Sequence, residues 1–160
     1  MADCIIALIT NNLVSALNGK PLVYGGVTHT TVCKQQRRIY DNEGADCYID
    51  LCGPWPETLE HAGNRTEHVK LNYVAELHIS GINDAPPNEP ITKQTNNVGS
   101  DLVALIIGTD NSRGGYALTT TVEGQPGYYF TGDPDAPEFV VYANISVEVF
   151  INADNPYLNG

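Results

Sequence analysis

Basic side chains are scarce in this chain. Its 160 residues hold 8 Lys and Arg against 19 Asp and Glu, for a formal charge of −11. So few cations argue against a protein that grips DNA, because neutralising phosphates takes Lys and Arg. Docking on anionic lipid needs the same groups and is disfavoured for the same reason. Long apolar runs are missing as well. No stretch reaches the ~18 apolar residues of a membrane-spanning helix. The opening Met-Ala-Asp-Cys-Ile-Ile has no basic segment before an apolar one, so no signal peptide is expected.

Catalytic and metal motifs are equally thin. Cys4, Cys33, Cys47 and Cys52 include no pair with the two-residue gap of a zinc knuckle, which predicts reduced, unbridged thiols and no metal. There is no Gly-x-Ser-x-Gly turn and no glycine-rich phosphate loop. Cys52, just before Gly-Pro-Trp-Pro, reads as a small core residue at a strand end, with no sign of a depressed pKa. Asp133 and Asp135 are two spaced carboxylates without the closing Glu of a calcium loop. Glu76 and His78 are neighbours on one strand face and could offer two metal ligands, but the pattern predicts exposed strand residues. Trp55, between two prolines, reads as a cap over a sheet edge or an anchor for a partner. No catalytic residue and no cofactor are expected, which favours a binding or structural protein. A small cytoplasmic enzyme or ligand-binding domain built on Trp55, Cys52 and the histidines is the alternative class.

What the chain does have is well patterned. Apolar residues make up 42% and charged residues 17%, too apolar for disorder. The length suits one domain over residues 1–160, with a polar tail from about 152 to 160 in which Pro156, Tyr157 and Leu158 form a candidate docking peptide. Residues 3–18 carry Ile6, Ile9, Leu13, Ala16 and Leu17 at helical spacing, with Thr10 and Ser15 off that face. Asp3 is placed as N-cap, Gly19 closes the segment and Pro21 forbids continuation. A strand is expected over 27–33 after a Gly25-Gly26 turn. Another is expected over 46–52, broken by Gly53-Pro54-Trp55-Pro56. Residues 66–80 alternate, with Val69, Leu71, Tyr73, Ala75, Leu77 and Ile79 on one face and His68, Lys70, Asn72, Glu76 and His78 on a wet one that only Val74 interrupts. A second helix is expected over 95–107, stopping at Gly108. Short strands at 116–123 and 128–131 flank a Gly124-Gln-Pro-Gly127 hairpin turn, and a long strand fills 138–151. The order predicts an α+β fold: a twisted, mainly antiparallel or mixed sheet with two helices packed on one face.

Charge is uneven along the chain. Residues 71–160 hold only Lys93 and Arg113 against eleven acids, while Lys34, Arg37 and Arg38 cluster in the first half. Such a two-sided molecule suits charge-complementary stacking on a partner, with simple solubility as the plain alternative. Val74, Val140, Tyr142 and Phe150 interrupt the polar faces of the long strands and mark a candidate self-association patch.

The whole order resembles the tail terminator (tail completion) proteins of tailed bacteriophages. The features that carry the resemblance are the helix over 3–18, strands around Lys34-Gln-Gln-Arg-Arg-Ile-Tyr40 and the long strand 68–80. An Asn/Pro connection, a helix ending Ser100-Asp-Leu-Val-Ala-Leu105, the Gly/Tyr hairpin and the last strand 139–151 complete the pattern. The segment 53–64 and the acidic stretch 133–138 have no counterpart in it. The resemblance implies a structural virion protein, assembled in the host cytoplasm. It would form a hexameric ring on the tail tube, end tube polymerisation and join the tail to the neck or connector. DNA would pass through without specific binding. It also implies that Lys34, Arg37 and Arg38 meet a protein partner, and that Asp110, Asp133, Asp135 and Glu138 line an acidic lumen. Another neck, tube or decoration protein is the neighbouring reading.

Overall fold

A computed structural model describes residues 3–35, 47–61, 63, 65–82, 87–108, 110–131 and 138–156. The first helix, α1, spans Ile5–Leu17. Ile5, Ile9, Leu13 and Leu17 recur every four residues and are buried. Thr10, placed off the apolar face by sequence, is buried too. Its hydroxyl donates to the Ile6 carbonyl (2.8 Å) and accepts from the Tyr73 hydroxyl at 2.9 Å, so a polar group survives in the core with its bonds made. The N-cap is Cys4 rather than Asp3, and no side chain caps there. Instead the Pro156 carbonyl of the C-terminal tail accepts the Ile5 N–H (3.0 Å), satisfying one of the orphan donors of the first turn. Tyr157 and Leu158 lie outside the described residues.

Gly25 and Gly26, both at positive φ, close a hairpin between β1 (Pro21–Tyr24) and β2 (Val27–Thr30). The expected strand over 27–33 is therefore split. Thr31 turns the chain, its hydroxyl donating to the Leu17 carbonyl at 2.6 Å, and β3 (Val32–Gln35) starts a separate sheet. That sheet has five strands in the order β3-β4-β5-β7-β6, with β4 (Cys47–His61), β5 (Thr66–Ile79), β6 (Thr119–Thr131) and β7 (Glu138–Asn152). Among the described residues of this sheet, β3 and β4 pair in parallel and the other three pairings are antiparallel, so the fold is α+β with a mixed sheet. The second helix, α2 (Ile91–Ile107), starts four residues earlier than the periodicity predicts and stops at Gly108. It carries the chain from β5 to β6, which run in the same direction with β7 inserted between them.

Two segments read as breaks are continuous strand. β4 runs through Gly53-Pro54-Trp55-Pro56, because from Cys52 to Trp55 it advances three residues against two on β5 and absorbs the irregularity as a bulge. Gly124-Gln-Pro-Gly127 is likewise no hairpin turn. Residues on both sides of it pair with β7, and the extra residues loop out between Glu123 and Gly127. Gly127 leaves room there for the end of the Tyr142 side chain, which would have to move aside for a Cβ.

The core joins Ile9, Leu13 and Leu17 of α1 and Val98, Leu102 and Ile106 of α2 to the odd-numbered residues from Val69 to Ile79 on β5 and from Phe139 to Val149 on β7. Each such side chain taken from water contributes roughly 1.5–3 kcal/mol. No disulfide joins the four cysteines. Among the described residues, no helix is long and apolar enough to cross a membrane.

Candidate functional site

The sheet leaves two outer borders with large apolar side chains in water. At one, among the described residues β6 pairs only with β7, and it exposes Tyr128, Tyr129 and Phe130, the last 65% accessible. At the other, β3 ends its pairing at Leu51, so among the described residues the far half of β4 pairs only with β5, and it exposes Trp55 and Leu59. Strand borders of this kind present unpaired backbone groups beside apolar side chains and are templates for another chain.

The apolar patch expected from sequence is placed differently. Val140 is 1% accessible, so it is a core residue and not part of a sticky face. The even-numbered face of β7 is closed over at that end, against the alternation that predicted it wet. Tyr142 is half-buried, its ring 6.1 Å from that of Tyr129; Phe150 is half-buried with its ring 5.0 Å from His68.

The charged candidates separate in the same way. Lys34 is half-buried on β3, in register with Asp50, while Arg37 and Arg38 lie outside the described residues. Asp133 and Asp135 also lie outside them. Asp110 is occupied in its own loop: its carboxylate accepts from the Ser112 N–H and hydroxyl, the Gly114 N–H and the Asn12 amide. The Ser112 hydroxyl and Gly114 N–H bonds hold its pKa below the usual carboxylate range. Beside it Arg113 is buried and donates to the Asp110 and Ile107 carbonyls, at the negative end of α2.

Glu138 is drawn inward. Its Oε1 lies 2.8 Å from Nδ1 of His78. His78 is 8% accessible, contrary to the exposed strand residue expected, and its ring stacks on Tyr48 with centroids 4.4 Å apart. Its other nitrogen, Nε2, makes no hydrogen bond among the described residues. It faces Asp50 Oδ2 at 3.7 Å and Glu76 Oε2 at 3.8 Å. β4 and β5 bring these groups together because Tyr48 pairs with His78 and Asp50 with Glu76. A candidate ligand atom of Asp50, Glu76 and His78 can each be chosen so that all lie within 4.8 Å of one another. Sequence reasoning paired Glu76 with His78 by their spacing but missed Asp50, whose place depends on strand register.

The thiols nearby are poor nucleophiles. Burial, then the Glu76 and Asp50 carboxylates, push Cys52 upward; burial, then Asp50, push Cys33 up to about 12.

No protein-family model matches the chain, and no curated protein matches it in sequence.

Proposed function

We propose that the protein is a structural virion subunit, a tail terminator that closes into a ring at the head-proximal end of a phage tail tube. In this reading it ends tube polymerisation and joins the tail to the neck, while DNA passes through the ring. One observation carries it: two opposite borders of a single sheet, Tyr128-Tyr129-Phe130 and Trp55 with Leu59, both present exposed apolar groups. Different patches on opposite sides favour head-to-tail contact, which closes into a ring or runs on as a filament. A closed ring fits a terminator; an open filament fits a tube protein. The acid-rich second half of the chain, with two bases among eleven acids, suits a conduit along which DNA slides.

The test is native mass spectrometry of the purified protein and two border variants. Wild type gives one discrete ring mass. Tyr128→Asp with Phe130→Asp gives a folded monomer, as does Trp55→Asp with Leu59→Asp. Mixing the two variants restores one intact contact and gives a dimer. A monomeric wild type, or variants that assemble like wild type, refutes the reading.

A further inference from the structure

We infer that Asp50, Glu76 and His78 form a binding site for a divalent first-row transition metal ion such as Zn²⁺, with Glu138 as the group that orients the histidine. The imidazole supplies the primary observation. Glu138 beside Nδ1 is a carboxylate and can only accept, so Nδ1 carries the proton. In the neutral ring Nε2 is then a lone pair. It is buried, without a hydrogen bond, and aimed between two carboxylates. A metal-bound histidine whose other nitrogen donates to a carboxylate is the usual arrangement around zinc.

The carboxylates give the second reason. Asp50 and Glu76 are directly opposed across β4 and β5, and like charges in that position repel. Asp50 is only 5% accessible, so solvent does little to relieve it. A dication between Asp50, Glu76 and Nε2 would relieve the repulsion between the two carboxylates.

Distances and donor types fit. Zinc bonds to nitrogen and carboxylate oxygen near 2.0–2.2 Å place tetrahedral ligands about 3.4 Å apart. The observed 3.7 and 3.8 Å from Nε2 need to close by a few tenths of an ångström, and the two carboxylates, whose candidate ligand atoms lie within 4.8 Å of each other, draw together around the ion. One nitrogen and two oxygens suit Zn²⁺ or Co²⁺, whereas Mg²⁺ prefers oxygen and water alone. Three protein ligands leave positions for water. Bound metal would tie β4 to β5 and, through Glu138, to β7. The inference does not depend on the ring reading, since the site lies within one subunit.

The test is calorimetric titration of EDTA-stripped, reduced protein with Zn²⁺, and with Mg²⁺ in parallel. One Zn²⁺ binds per chain and raises the melting temperature, while Mg²⁺ gives neither effect. Glu76→Gln and His78→Gln weaken binding by about a hundredfold or more, and Glu138→Gln by roughly tenfold, the scale of an orienting partner. Glu76 is half-buried, so its variant keeps the test informative if His78→Gln fails to fold. Thiols are separated by Cys52→Ser, which leaves the affinity unchanged, and by Co²⁺, whose spectrum shows ligand-field bands without thiolate charge transfer. Absence of binding, binding lost in Cys52→Ser, or binding unaffected by Glu76→Gln overturns the proposal.

Discussion

Alkali should unfold this protein in a way traceable to one thiol. Cys33 lies on the core face of β3, 5% accessible, with its backbone N–H donating to the Asn18 side chain at 2.9 Å. Burial, and the Asp50 carboxylate, raise its pKa from 9.0 to about 12. Below pH 9 the thiol keeps its proton in both states and adds no slope. Above pH 9 the unfolded chain releases the proton and the folded chain retains it. The unfolded state then binds fewer protons, so stability falls as pH rises, until the folded thiol also ionises near pH 12. The full loss corresponds to about 4 kcal/mol, accrued at about 1.4 kcal/mol per pH unit. Tyr73, raised from 10.0 to about 12 chiefly by burial, adds roughly 3 kcal/mol, beginning one pH unit later. Together they are a large part of a typical domain's stability. Urea unfolding at constant protein concentration, under reducing conditions, from pH 8 to 10.5, reads the slope. Cys33→Ala costs about 1 kcal/mol at pH 8 through the lost packing. Between pH 9 and 10 it loses about 1 kcal/mol less stability than wild type, because the unfolded thiol goes from half to about nine-tenths ionised over that interval. Parallel curves for the two proteins would refute the assignment of the slope to this thiol.

Two core substitutions extend the same reasoning. Leu13→Ala, at a fully buried position between α1 and the sheet, should cost about 2–5 kcal/mol, read as a lower melting temperature or urea midpoint; an unchanged midpoint would mean the helix does not pack through this face. Gly53→Ala should cost roughly 2–3 kcal/mol, because its φ is +108° and the new Cβ would lie 2.7 Å from the Asn72 carbonyl oxygen, a backbone atom that cannot swing aside. Near-neutral stability there would show that the β4 bulge can rearrange.

The functional residues were harder to read from the sequence than the elements were. Glu76 and His78 are two apart on a strand, so their shared face follows from the pleat alone. Asp50 joins them only through the Asp50–Glu76 register, a pairing across 26 residues that no local pattern encodes. Val140 belongs by alternation to the polar face, yet it is buried, because that end of the even-numbered face is covered. Tyr128 to Phe130 read simply as strand. Their exposure depends on β6 being last in the sheet order.

Both helices, strands β5 and β7 and the core faces of these elements were legible in the residue pattern alone. Periodicity is local: a repeat of 3.6 or 2 residues commits a segment to burying one side whatever it meets. The tertiary structure alone decided which strands are neighbours, and with them the parallel β3–β4 pair and the insertion of β7 between β5 and β6. It also decided the fate of the glycine and proline signals. Gly53-Pro54 and Gly124 to Gly127 are turn-forming in isolation, but each lies between residues whose hydrogen-bonding partners are on the same neighbouring strand. Long-range pairing on both sides outweighs the local preference, so the chain bulges where it would otherwise have turned.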